Sequence, residues 1–172
     1  GGESGTGVVT INPLPTLFTV GGGGSYCTGS TGPAITLSGS QVGSFQYQLK
    51  INGTNSGAWI AGTGGALSWI NQTTGGTYTI SVINSSTGCS QLMTGSAGVT
   101  GNGLPTQYTI GGGGPYCAGG NVSITLSLSQ TGVNYQLKNG ASNVGSAVAG
   151  TGAGLTWTNQ TASGTYTIVA TN

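Results

Sequence analysis

The sequence predicts an all-β protein made of tandem immunoglobulin-sized antiparallel β-sandwiches, with about seven strands in each. Three observations predict this fold: the chain repeats itself in tandem, apolar residues alternate with polar ones, and clusters of Gly, Asn and Ser separate the alternating runs. A period of two places every second side chain on one face of a strand, and these clusters favour turns. No stretch combines helical spacing with helix caps, so no helices are expected.

The repeat is a tandem duplication whose landmarks keep their order. "LPTLFTVGGGGSYC" from Leu14 returns as "LPTQYTIGGGGPYC" from Leu104, an offset of 90 residues. "YQLK" at Tyr47 returns at Tyr135, an offset of 88, and "AGTG", "NQT" and "GTYTI" also occur once in each copy. Because repetition at a fixed spacing is typical of repeated structural units, each copy is expected to fold as one unit.

The clearest strands are "FQYQLKI", "VSITLSL" and "TYTISV", in which alternate residues are apolar. The glycine runs Gly21 to Gly24 and Gly111 to Gly114 lack the Lys and Ser/Thr of a phosphate-binding loop. Glycine within a strand often marks a bulge or a close backbone approach. We expect each run to form a bend that moves the first strand from one sheet to the other.

The alignment of the copies predicts three segments. Residues 1–12 match the end of the first copy, so they are expected to be the last strand of a preceding repeat. Residues 13–100 form the first repeat, and residues 101–172 form a second repeat that lacks its final strand. This pattern indicates a window from a longer array.

The chain contains three cysteines, Cys27, Cys89 and Cys117. We expect Cys27 to pair with Cys89, and Cys117 to pair with a cysteine beyond Asn172. A disulfide closing a loop of about 60 residues stabilises a fold by about 4 kcal/mol in the loop-entropy model. Such bonds are typical of oxidising, extracytoplasmic compartments. The alternative is three free, buried cysteines in a cytosolic protein.

Aromatic residues at equivalent positions are expected to have structural roles. Trp69 and Trp157 are predicted to pack in the core, with a sugar-stacking surface as the alternative. Tyr78 and Tyr166 are predicted to form tyrosine corners, in which the hydroxyl bonds to nearby backbone. Trp59 has no aromatic counterpart in the second copy, so it is a candidate exposed contact, with local packing as the other interpretation.

The charge content argues against several classes of function. The chain has one acidic residue, Glu3, two basic residues, Lys50 and Lys138, and no histidine. Acid–base and metal chemistry need clusters of such groups, so no enzyme activity, catalytic residue, cofactor or metal site is expected. Nucleic-acid binding needs several Lys or Arg contacts to phosphates, and no apolar run is long enough for membrane insertion.

The motifs "PLPT", "GGGGSYC", "YQLK", "AGTG", "NQT", "GTYTI" and "STGC" resemble the immunoglobulin-like tandem repeats of very large secreted surface proteins of Bacteroidota. Those proteins are adhesin-like and are associated with type IX secretion and, in some species, with gliding motility. The resemblance covers essentially the whole chain. It implies an extracellular molecule attached to the cell surface, with a stalk built from such units.

The expected function is therefore a structural segment, the stalk or filament body of a very large extracellular adhesin. Its expected partners are neighbouring repeats and identical strings side by side, with surface polysaccharide as a further candidate. One alternative is a subunit that polymerises by donating a strand, and another is a module that binds carbohydrate or another surface. A third, ice or mineral binding through threonine rows such as Thr77 and Thr79, lacks the constant short spacing of a solenoid.

Overall fold

The computed structural model describes residues 7–172, which contain strands and no helix. The chain divides into a first unit that ends at Gly103 and a second unit that spans Leu104–Asn172. The prediction of an all-β fold with antiparallel sheets is confirmed, and its immunoglobulin-like detail stays a prediction. In the described residues, no helix has the length and apolar character that crossing a membrane requires.

The first unit contains ten strands. They are β1 (Val20–Gly22), β2 (Gly24–Cys27), β3 (Ile35–Leu37), β4 (Phe45–Ile51), β5 (Thr54–Asn55), β6 (Ile60–Ala61), β7 (Leu67–Trp69), β8 (Gly76–Asn84), β9 (Ser90–Leu92) and β10 (Ala97–Asn102). One sheet has the order β1-β3-β7, and the other has the order β2-β10-β8-β4-β5, with β6 paired to β4 and β9 paired to β8. All of these pairs are antiparallel except β10 with β2, which run parallel.

Buried side chains from both sheets of the first unit form a single hydrophobic cluster, which gives a sandwich-like arrangement. The long pair β4 and β8 supplies its centre, where Leu49 lies opposite Ile80 and Tyr47 lies opposite Val82. The alternation predicted for these strands agrees with this burial. The cluster consists of Val20, Ile35, Leu37, Tyr47, Leu49, Leu67, Trp69, Tyr78, Ile80, Val82, Met93, Ala97 and Val99.

The glycine run of the first unit carries the chain from one sheet to the other. Strand β1 pairs with β3, whereas β2, which starts two residues after β1 ends, pairs with β10 in the second sheet. Gly23 lies between them with φ of 78°, and a Cβ atom there would lie 2.4 Å from the carbonyl oxygen of Gly98. Only glycine fits this conformation and this contact. The predicted change of sheet is therefore confirmed here.

The second unit repeats most of this arrangement. Its strands are β11 (Ile110–Gly112), β12 (Val122–Leu126), β13 (Asn134–Asn139), β14 (Ser142–Asn143), β15 (Val148–Ala149), β16 (Leu155–Gln160) and β17 (Tyr166–Thr171). One sheet has the order β11-β12-β16, and the other has the order β14-β13-β15, with β17 paired to β13. Within the described residues of this unit, β2, β9 and β10 have no counterpart.

The prediction that residues 1–12 are the last strand of a preceding repeat stays a prediction. Residues 1–6 lie outside the described part of the chain. Residues 7–12 are exposed and form no strand. The predicted boundary between the two repeats, after residue 100, lies close to the observed division after Gly103.

Candidate interaction surfaces

The predicted core tryptophans lie between the sheets. Trp69 and Trp157 are each 8% exposed and pair with Ile35 and Ile124, respectively. Their indole Nε1 atoms are buried and have no hydrogen-bond partner. Because so little of either ring is exposed, neither offers a stacking face to a sugar.

The two predicted corner tyrosines bond to backbone four residues upstream. The Tyr78 hydroxyl donates to the carbonyl oxygen of Thr74 at 2.7 Å, and the Tyr166 hydroxyl donates to that of Ala162 at 2.8 Å. Burial raises the pKa of Tyr78 above its usual value, although the hydrogen bond to Thr74 opposes this shift. Both hydroxyls fix the turn that precedes their strand.

The predicted disulfide between Cys27 and Cys89 is wrong, because all three cysteines are free. Cys27 pairs with Asn102, which lies beyond the end of β8 that begins at Gly76. Cys89 lies at the opposite end of β8, where its carbonyl accepts a hydrogen bond from the amide of Asn84. The nine residues of β8 separate these ends. At about 3.3 Å per residue that separation is at least about 26 Å. A disulfide needs Cα atoms within about 7 Å.

The sequence could not show this separation because spacing along the chain does not reveal which end of a strand a residue reaches. Cys117 is also free and exposed, and its predicted partner lies outside the sequence. Tyr26, next to Cys27, donates its hydroxyl proton to the carbonyl of Thr73. It therefore anchors the loop that contains Thr73.

Each cysteine of the first unit lies beside an asparagine at the same repeat position. The Cys89 thiol donates to the carbonyl oxygen of Asn12 at 3.8 Å. Cys27 lies opposite Asn102 in the parallel pair of β2 and β10. Asn12 and Asn102 occupy equivalent positions, 90 residues apart. The two contacts lie at opposite ends of the unit.

Sequence reasoning missed a buried glutamine that organises the loop after β4. The alternation in "FQYQLKI" places Gln48 on the face opposite the apolar residues, yet this residue is only 2% exposed. Its Nε2 donates to the carbonyls of Leu49, Ser56 and Gly57 at 2.9, 2.9 and 3.2 Å. Gln136 makes the equivalent bonds in the second unit. The conserved spacing of Gln within both "YQLK" motifs was the available signal.

Trp59 lies at the end of that loop and is 45% exposed. It immediately precedes β6 and lines the same outer surface as Lys50, Thr79 and Ser81. Across the neighbouring strands β4, β8 and β9, Gln48 pairs with Ser81 and Ser81 pairs with Leu92. The outer face thus carries Trp59 at one side and Leu92 at the other.

These side chains line a groove of about 460 Å³ in the first unit. Its lining consists of Lys50, Gly53, Trp59, Thr79, Ser81, Val82, Ile83, Ser90, Gln91 and Leu92. Lys50 donates to the side-chain oxygen of Asn55 at 2.7 Å. Asn55 is neutral, and the only acidic residue of the chain, Glu3, lies outside the described residues, so no described side chain neutralises Lys50.

In the second unit, β17 lies at the edge of the described sheet. Strand β17 pairs with β13, and no other described strand pairs with it. Tyr166, Ile168 and Ala170 are half-buried, whereas their counterparts Tyr78, Ile80 and Val82 are 0% exposed. Two hollows of about 340 and 490 Å³ adjoin β17. In the first unit, β9, β10 and Met93 cover the equivalent surface.

Residues 7–172 contain no group of three or more His, Cys, Asp or Glu side chains that could hold a metal ion. The absence of enzyme activity and of a cofactor stays a prediction. Comparison with known proteins adds no family: no family model matches the sequence, and no curated protein matches it. The fold and its surfaces therefore define an all-β protein of two repeated units.

Proposed function

We propose that the chain is a structural repeat segment in the stalk or filament body of a very large extracellular, cell-surface adhesin. The observation that carries this proposal is that the repeated sequence builds the same strand pairing twice. Ile35 and Leu37 pair with Trp69 and Leu67 in the first unit. The equivalent strands β12 and β16 pair in the same register in the second.

The pairing of the long central strands supports the same proposal. Leu49 pairs with Ile80 in β4 and β8, and Leu137 pairs with Ile168 in β13 and β17. The repeated polar side chains Gln48 and Gln136 bond to loop backbone within their own units. The residues that recur therefore build the fold, which is what a spacer requires of a repeat.

The charge content favours assembly with like units. The chain contains three charged residues, so neighbouring copies would experience little electrostatic repulsion. We propose neighbouring repeats, and identical strings side by side, as its partners. The extracellular location and a connection with gliding motility are part of the proposal and rest on the resemblance of the repeat motifs.

The mass of the native material tests the proposal. On a denaturing gel with reductant, and by intact-mass spectrometry, we expect one species many times larger than the 16.7 kDa of this chain. A covalently continuous array survives both treatments. A discrete species near 16.7 kDa would contradict the continuous stalk.

A second candidate is a subunit that polymerises through strand donation, since the edge of a sheet can accept an extended segment of another chain. An extended segment with the pattern of Ala97–Asn102 would pair with β17 as β10 pairs with β8. Val99, which is buried in the first unit, shows the apolar anchor that such a segment needs. If a ladder of bands on a gel is replaced by a single band of low mass in denaturant, the result would favour this candidate over the continuous chain.

A further inference from the structure

The groove beside Trp59 combines three features of a sugar-binding site. It has an aromatic wall, a floor with the hydroxyl groups of Thr79 and Ser81, and the ammonium group of Lys50. Its volume lies within the range of small-molecule sites, about 300–1,000 Å³. A half-exposed indole offers an apolar face and an N–H donor, which suits the mixed surface of a sugar ring.

The dimensions of the outer face fit a saccharide that lies across the sheet. Trp59 immediately precedes β6 and Leu92 ends β9, and strands β4 and β8 lie between β6 and β9. At about 4.8 Å between neighbouring strands, these four strands span about 14 Å. The buried Gln48 amide holds the loop that carries Trp59, so the wall is fixed to the sheet.

The charge of the groove selects the kind of sugar. Lys50 lies opposite Thr79, two residues along the strand from the pair Gln48 and Ser81, and its described hydrogen-bond partner is a neutral amide. A carboxylate on a bound sugar would form a charge-assisted hydrogen bond with this ammonium group. We propose that the groove binds an acidic polysaccharide through a uronic acid unit, which stacks on Trp59 and contacts Lys50.

The second unit supplies an internal comparison. Lys138 pairs with Thr167 as Lys50 pairs with Thr79, so the cation is present in both units. Ala147 replaces Trp59, and Val169 replaces Ser81, which removes the aromatic wall and a hydroxyl group. The second unit therefore has the charge without the aromatic wall. The proposed site belongs to the first unit and does not depend on the function of the array.

A titration of the isotope-labelled chain with trigalacturonate tests the site. The measured quantities are the indole N–H signals of the three tryptophans in nuclear magnetic resonance spectra. We expect the Trp59 signal to shift, while the buried Trp69 and Trp157 signals remain in place. Trp59→Ala should weaken binding at least tenfold. Lys50→Gln should weaken it at least fivefold and remove its dependence on salt, because the screened charge is gone.

Lys138→Gln is the matched control, and it should leave the affinity unchanged. The backbone amide spectrum of each variant shows whether its fold is intact. Ser81→Val introduces the residue that the second unit has at this position, and it provides a further variant that retains Trp59. The proposal is overturned if trigalacturonate leaves the Trp59 signal unmoved. It is also overturned if Lys138→Gln weakens binding as much as Lys50→Gln, or if neutral trigalactose binds as tightly as trigalacturonate.

Discussion

Tyr47 and Tyr78 each use a hydroxyl group to hold a loop to the sheet. The Tyr47 hydroxyl accepts a hydrogen bond from the amide of Gln41 at 2.9 Å, and Tyr135 does the same with Gln130 at 2.8 Å. The Tyr78 hydroxyl donates to Thr74. An unpaired buried polar group costs about 1–3 kcal/mol, so these hydroxyls stabilise the loops as well as the core.

Replacement of Tyr78 by phenylalanine should destabilise the first unit by about 1–2 kcal/mol, because the carbonyl of Thr74 loses its donor. The stability of the native chain should also fall as the pH rises above about 10, the usual tyrosine pKa. Its raised pKa means that folded Tyr78 retains a proton that the unfolded chain has already lost. Tyr78→Phe should weaken this alkaline loss. Urea unfolding between pH 8 and 11, followed by circular dichroism, measures both effects.

Tyr166→Phe is the matched control for that experiment. Tyr166 bonds to Ala162 in the same way but is only half-buried, so its replacement should cost less. If the two variants lose equal stability, or if Tyr78→Phe retains the full alkaline loss, burial of the Tyr78 hydroxyl does not have the proposed effect.

At the level of strands and sheets, alternation of apolar residues was a reliable guide. It predicted β4, β8 and β12 and the residues of β4 that face the core, because one buried face imposes a period of two. It did not predict the burial of Gln48, which depends on a loop that folds over the outer face. Local patterns carry no information about such long-range covering.

The parallel pairing of β2 with β10 also could not be predicted from the sequence. The glycine run predicted that the chain changes sheets, but it did not specify the strand that would receive it. That partner is fixed by the position of β10 along the edge of β8, a tertiary feature. The same pairing places Cys27 far from Cys89, which is why the expected disulfide was wrong.

Because β10 pairs with β8 and contributes Val99 to the core, we expect two neighbouring residues of β10 to respond differently to substitution. Val99 is 3% exposed, whereas Thr100, on the opposite face of the strand, is exposed. Val99→Asp should destabilise the unit by about 3 kcal/mol, since it buries an unpaired charge. Thr100→Asp should change stability by less than about 0.5 kcal/mol.

Thermal unfolding of the two variants, with hydrogen exchange at the amides of β8, measures this difference. We expect faster exchange along β8 only for Val99→Asp, because β10 covers its Gly76 end. Equal effects of the two substitutions would contradict the burial of Val99 as the cause. Unchanged exchange in Val99→Asp would show that burial of Val99 is not needed to protect the amides of β8.

For the whole molecule, the scarcity of charge is the main physical property. The chain has one acidic residue, two lysines and no histidine among 172 residues. Its stability therefore depends on apolar burial and hydrogen bonding, with little contribution from ion pairs. Salt screens interactions between exposed charges that are more than about 8–10 Å apart. A protein whose stability depends on such interactions therefore becomes more or less stable when salt is added.

The melting temperature of the chain should therefore change by less than about 2 °C between about 10 and 200 mM sodium chloride. Its self-association at high concentration should show the same insensitivity. Differential scanning calorimetry and light scattering across this range measure the two quantities. A shift of more than about 5 °C, or association that salt strongly changes, would show that charges outside the described contacts contribute.

The positions of Cys27 and Cys89 at opposite ends of β8 have a mechanical consequence. Neither thiol can close a loop within the unit, so oxidation can join it only to a thiol outside this fold. A bond of that kind would transmit a pulling force from one end of the sandwich to the next attachment point. It would leave the unit free to unfold under load, because no covalent bond would close a loop within it.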